Sequence, residues 1–372
     1  MTSIAPLTAA QAFERSITAQ VTGLRDLGTL GGHHSQGRAI NAVSQVTGMA
    51  ETEDGSQHAF RWTASSGMQD LGTLGGANST GVGINIWGQV VGESSTGVAG
   101  QQHAFLWTSS GGMQDLGTLG GQNSQATGIN DLGQVMGVSD LSNGEWHAFR
   151  WTPSGGMQDL GTLGGPTSDA RAINVLGQVT GESYLSDMSL HAYRWTSSGG
   201  MEDLGTLGGR NCSGGDINAR GQIAGFCDTP DGSVRAFRWT PSDGMQDLGV
   251  FLAGRINVLG QLIGRPYFDP EVPPETRHAF RWTPSVGWQD LGTLGGEESV
   301  AWGITDLGHI IGSSETSDGS LHWFRWTASG GMRDLGPLPI SIGPAAVNVR
   351  GQVTGFFYAT EASPMRAFIW TP

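Results

Sequence analysis

Lysine is absent from this 372-residue chain; all 19 basic residues are arginine. That excludes a Schiff-base lysine and a Walker phosphate loop, both of which require the amine. A net charge of −14, with no arginine-rich run, argues against a nucleic-acid partner. No apolar stretch approaches membrane-spanning length, so no membrane insertion is expected. Aromatics are scarce at 8%, and the 62 glycines follow no G-x-y period, which excludes collagen. The first residues, MTSIAPLTAAQAFERS, lack a basic n-region and a sustained apolar core, so they do not read as a secretory signal. Residues 1–20 are expected to form an N-terminal arm, and residence in the cytoplasm is the default.

What the chain does have is a repeat. The phrase DLG begins at Asp26, Asp70, Asp115, Asp159, Asp203, Asp247, Asp290 and Asp334, at intervals of 43 to 45 residues. A second phrase, of the form HAFRW, starts at His58, His103, His147, His191, Arg235, His278, His322 and Arg366. A third, GQVxG in form, follows Asn41, Asn85, Asn130, Asn174, Asn218, Asn257, Thr305 and Asn348. Within one unit the sequence predicts strands at Ser124–Asn130, Gly133–Ser139, His147–Thr152 and Gly156–Leu163, each bounded by Gly, Asn, Ser or Pro. Four short strands in about 44 residues is the blade period of a β-propeller.

The ends predict closure. Leu24–Gly28 has a DLG phrase with no HAFRW before it, and the last HAFRW-type phrase, ending at Trp370, has no DLG after it. The fold class is therefore all-β: an eight-bladed β-propeller of four-stranded antiparallel blades over residues 21–372, its last blade closed by the N-terminal strand. The phrases His58-Ala59-Phe60 and their copies resemble the HAF-repeat family over nearly all of Leu24–Pro372. That resemblance implies an extracellular repeat protein and does not imply an activity.

Two turns per unit never change length, from Asn41 to Gln45 and from Trp62 to Asp70 and their equivalents. In a propeller both lie on one face, and all length variation falls on the other, where binding is expected. Three residues before each motif Asn or Thr stand Arg38, Val82, Thr127, Arg171, Gly215, Gly254, Trp302 and Ala345. The scaffold repeats and this axial lining does not, which predicts one asymmetric site.

Arginine forks at Arg38, Arg171 and Arg255 suit a carboxylate or phosphate, or else pair with acids such as Asp169 and Asp216. His34, on the variable face, and Asp169 are candidate acid–base groups, with Arg171 beside them. Trp302, Tyr184, Tyr267 and Phe268 are candidates to stack on a ring-bearing ligand. The motif histidines sit once per blade and are expected to hold scaffold hydrogen bonds, so no metal site is expected. No nicotinamide, flavin or nucleotide fingerprint appears, so no cofactor is expected either.

These residues predict a small-molecule ligand or substrate bound at the variable mouth of the funnel by a monomer or weak oligomer. The compatible chemistry is that of a cofactor-independent lyase, cyclase, isomerase or hydrolase. The alternative is a glycan- or protein-recognition module without catalysis, which predicts equivalent shallow pockets between blades. Cys212 and Cys227, the only cysteines, should face one another across a hairpin, as two thiols in a cytoplasmic protein and a disulfide in an exported one. The sixth unit loses five residues between Asp247 and Asn257 and gains four in the loop ending at His278. This predicts a side entrance roofed by Tyr267 and Phe268, with Arg255 just inside.

Overall fold

The computed structural model describes residues 22–266, 277–338, 341–358 and 363–372. Its strands form eight four-stranded antiparallel sheets, and consecutive innermost strands contact one another all the way around a ring. The third blade runs Ser124–Ile129, Val135–Asp140, Trp146–Thr152 and Gly156–Asp159. Its last strand stops at Asp159, short of the expected Leu163. The cause is local: Asp159 Oδ1 accepts the Gly161 N–H at 2.7 Å, and Gly161 turns at φ 76°. In the eighth blade Leu24–Asp26 pairs antiparallel with Arg366–Trp370, Leu24 opposite Trp370 and Asp26 opposite Phe368. The N-terminal strand thus removes the edge an open ring would leave.

The burial pattern explains why the third-strand motif repeats. Successive strand residues point to opposite faces, and in a propeller each face meets a different neighbour. Phe60 and Trp62 pack backward onto Ala367 and Ile369 of the eighth blade. Ala59 packs forward against Val90, Phe105 and Trp107 of the second. A small residue is needed on the forward face because the next blade delivers two aromatic rings there. The motif arginine shares that forward face: the Arg61 guanidinium lies 5.2 Å from the Trp107 ring centroid, and Arg194 lies 4.6 Å from that of Trp239.

Three hydrogen-bond systems hold the ring together, two of them between blades and one within each blade. The hairpin Asn residues form a chain in which Asn41 Nδ2 donates to the Asn85 carbonyl at 2.8 Å, and so on round to Asn348, which donates to the Asn41 carbonyl at 2.9 Å. Thr305 has no amide to continue the series into the eighth blade. Each such bond is worth about 1 kcal/mol net. A serine clasp adds to it: Ala148 N–H donates to Ser168 Oγ, which donates to the Gly161 carbonyl. The third system joins neighbouring strands within each blade: His58 Nδ1 lies 2.9 Å from Asp70 Oδ1, a pairing that recurs at the other motif histidines. Arg235 and Arg366 reach Asp247 and Asp26 in the same way.

The fifth and sixth blades depart from the pattern. Cys212 takes the place of the clasp serine and Cys227 that of its cross-strand partner; they pair in the register and are joined as a disulfide. This differs from the two thiols expected of a cytoplasmic chain. In the sixth blade the shortened connection lets Ala236 N–H bond directly to the Gly249 carbonyl. Phe251 then stacks on Trp288 at 4.2 Å, and Trp288 Nε1 donates to the Leu248 carbonyl. Tyr267 and Phe268, expected to roof a side entrance there, lie outside the described residues. On the face with constant turns, Trp87, Leu132, Leu176 and Leu307 stand exposed. Among the described residues no helix is long and apolar enough to cross a membrane.

Candidate functional site

Each innermost strand carries a β-bulge, and the residue left out of register is the one three before the motif Asn or Thr. In the third blade the pairing skips from Ala126 to Gly128, leaving Thr127; in the fourth it skips from Ala170 to Ala172, leaving Arg171. The same break isolates Arg38, Val82, Gly215, Gly254, Trp302 and Ala345. A bulge kinks the strand and re-aims one side chain. The repeated scaffold therefore presents residues of six different types at eight equivalent places along the innermost strands.

In the fourth blade this places three charges together. Arg171 Nη2 donates to Glu182 Oε1 at 2.7 Å and lies 3.2 Å from Asp169 Oδ2. Asp169 and Glu182 are cross-strand partners in the register. Desolvation pushes the Asp169 carboxyl above its usual range; Arg171 opposes the shift and Glu182 adds to it. With 38% of its side chain still accessible, Asp169 remains open to a ligand. Arg171 is held more firmly protonated, chiefly by its bond to Glu182. Behind them the Tyr193 hydroxyl donates to the Asp169 carbonyl at 3.0 Å, and complete burial pushes its own pKa well up.

Asp169 and Glu182 line a cleft of about 390 Å³ between the third and fourth blades. Trp146, Tyr184 and Leu190 supply apolar walls, and Gln125, Thr127 and Thr167 supply neutral polar groups. The volume falls within the range of small-molecule sites. A second cleft, about 610 Å³, follows between the fourth and fifth blades and includes Arg171, Glu182, Leu190, Cys212 and Phe226.

Of the residues singled out from the sequence, Asp169, Arg171 and Tyr184 come together here. His34 is exposed in the first blade; its Nδ1 accepts the Met365 N–H of the eighth at 3.2 Å, and Glu51 accepts its main-chain N–H. Arg38 is exposed in the bulge of the first blade. Arg255 is exposed in the sixth, close enough to Asp216 to favour that carboxylate. Trp302 belongs to the seventh blade and donates from Nε1 to Ser313 Oγ at 3.1 Å. Neither of these two clefts includes His34, Arg38, Arg255 or Trp302 in its lining. Among the described residues no group of three His, Cys, Asp or Glu could hold a metal ion.

The sequence reading passed over Glu182 and Trp146. A signal existed: eight residues beyond the motif Asn or Thr the chain reads Met49, Glu93, Val138, Glu182, Phe226, Arg265, Ser313 and Phe356. That position varies as freely as the bulge does, and it faces the same clefts.

No family model matches the chain, and no curated protein sequence matches it. Solved structures do. Dipeptidyl peptidase 4 of Porphyromonas gingivalis is similar over 99% of this chain and 60% of its own, at 9% identity and a TM-score of 0.58. The β-propeller domain of the Trilobed protease from Pyrococcus furiosus matches over 82% of this chain and 97% of its own, at 9% identity and a TM-score of 0.49. The BP39L lectin from Burkholderia pseudomallei matches over 86% and 99%, at 11% identity and a TM-score of 0.43. Likeness at such identities shows the fold alone: the chain is an eight-bladed β-propeller.

Proposed function

We propose that the protein binds a neutral, hydroxyl-rich ring molecule, of the size of a sugar residue, in the cleft between the third and fourth blades. The observation that carries this reading is the composition of that cleft: aromatic side chains at Trp146 and Tyr184, with the Asp169 and Glu182 carboxylates in the same lining. Aromatic faces stack on ring C–H surfaces, while carboxylates accept from paired hydroxyls. Arg171 already neutralises one carboxylate, so the cleft offers no free cation to an anionic ligand. This is the recognition reading of the sequence; a second cleft stands at the equivalent place between the next two blades, with a different lining. On the repeat phrases we take the chain to be a HAF-repeat protein. The Cys212–Cys227 disulfide favours a location outside the reducing cytoplasm.

Calorimetric titration with neutral monosaccharides tests the proposal. Trp146→Ala should weaken binding by roughly 10-fold, the scale of one lost aromatic contact. Absence of heat with every sugar, in the wild-type protein at millimolar ligand, would sink it.

A second reading, acid–base hydrolysis, has one specific observation behind it. Asp169 is shifted up by desolvation despite the nearby Arg171, which donates its hydrogen bond to Glu182, and two carboxylates held differently by one guanidinium can divide the acid and base roles. Asp169→Asn should then abolish turnover of an aryl glycoside by about 100-fold or more. Turnover unaffected by that substitution would remove Asp169 from any catalytic role.

A further inference from the structure

We propose that the ligand is a chain rather than a single ring: a neutral oligosaccharide of at least two units, laid across the third, fourth and fifth blades. This rests on the sugar-binding reading of the first cleft. The two clefts are related by the repeat, since Trp146, Thr167 and Asp169 of the first stand where Leu190, Asn211 and Ser213 stand in the second. They also touch, because Glu182 and Leu190 line both. A ligand filling one lies against the wall of the other.

Two independent copies of one binding site would repeat their lining. These do not: the carboxylate of Asp169 gives way to the hydroxyl of Ser213, and Glu182 gives way to Phe226. Unlike linings on either side of a shared wall suit successive units of one molecule, each meeting its own surface. Glu182 is placed to serve both, since Oε1 is taken by Arg171 and Oε2 has no partner among the described residues. Phe226 is 39% exposed, an unusual state for a phenylalanine in a strand and a ready stacking face for the second unit.

The row of subsites stops at the sixth blade. Phe251 stands there where Ser168 and Cys212 stand in the fourth and fifth, and its stack on Trp288 occupies the space. The five-residue deletion thus brings an aromatic pair to the end of the row.

Titration with cello-, chito- and manno-oligosaccharides of one to four units tests the proposal. Affinity should rise by roughly 10-fold between one and two or three units, the value of one added aromatic contact. Phe226→Ala should bring the trimer down to the level of the wild-type protein with the monomer. Equal affinity for monomer and trimer, or a trimer indifferent to Phe226→Ala, would overturn the extended groove while leaving the first cleft standing. Failure of every length to bind would overturn both, which separates the two results.

Discussion

Asp216 is the residue whose chemistry is most at odds with its surroundings. It stands two before its motif Asn, where other blades mostly carry Gly or Ala, and it is half-buried between the innermost strands of the fifth and sixth blades. Its Oδ1 accepts the Ile217 N–H at 2.9 Å and its Oδ2 the Ile256 N–H of the next blade at 3.0 Å. Desolvation nevertheless dominates and raises its pKa above 3.8, against the pull of Arg255 and the two N–H groups. A carboxyl whose folded pKa is raised binds more protons folded than unfolded. Its contribution to stability is full below the unfolded value and is lost as pH rises through the folded one. Wild type should therefore lose stability relative to Asp216→Asn between pH 4 and pH 7. Urea unfolding of both at the two pH values measures the difference, and Asp169, present in both, cancels. A gap that does not change with pH would mean that the Asp216 carboxyl titrates normally.

At the scale of the strand and its connections, the clasp explains how the fifth blade tolerates two cysteines. In the fourth blade Ser168 and Ser183 occupy the corresponding pair of positions; Ser183 Oγ accepts the Leu163 N–H, and Ser168 Oγ accepts that of Ala148. Closing a loop with a sequence separation of 15 is worth about 3 kcal/mol. Serines at both positions would restore hydrogen bonds of about 1 kcal/mol each. The double variant Cys212→Ser, Cys227→Ser should thus lose less stability than Cys212→Ala, Cys227→Ala, by about 1–2 kcal/mol in guanidinium unfolding. Equal losses would show that the clasp contributes nothing measurable. The same elements show what the sequence made legible. Strand order, the facing cysteines and the hairpin at each motif Asn were all readable, because constant spacing leaves one pairing that puts Phe and Trp inside. The partner of each motif histidine was not, since the Asp twelve residues on belongs to the separate DLG phrase and stays in place where Arg235 and Arg366 replace the histidine. The cleft was legible only in part. Arg171 and Asp169 stood out as exceptions along the inner strand, whereas Trp146 closes the variable connection of the third blade and Glu182 opens that of the fourth, where variation looked like simple loop divergence.

For the whole molecule, the decisive fact is that the ring has no structural beginning. The Thr371 N–H donates to the Gly23 carbonyl at 3.0 Å, and Trp370 Nε1 donates to the Thr22 carbonyl at 3.2 Å, so the ends of the ring are already bonded to each other. In the other blades this place is a short turn from the third strand to the fourth, with five positions from Trp62 to Gly67. Gly67 takes φ 71° and Gly23 takes φ 86°, the same left-handed turn conformation. Joining Pro372 to Thr22 through one inserted serine reproduces that spacing: Thr371, Pro372, the insertion and Thr22 separate Trp370 from Gly23. A circular permutant made this way, without residues 1–21 and opened between Ser198 and Gly199 in the matching exposed turn, swaps one break for an equivalent one. It moves the closing strand from the eighth blade to the fourth, where Gly200–Asp203 must then return to pair with Leu190–Thr196. Stability should stay within about 1 kcal/mol of a parent spanning residues 22–372, with a single unfolding transition, because exposed turn tips tolerate new termini. Measurement is by urea unfolding followed by tryptophan fluorescence. A permutant that unfolds in two steps, or fails to bury its tryptophans, would show that the N-terminal strand holds the ring by something beyond the fourth-strand contacts every other blade possesses.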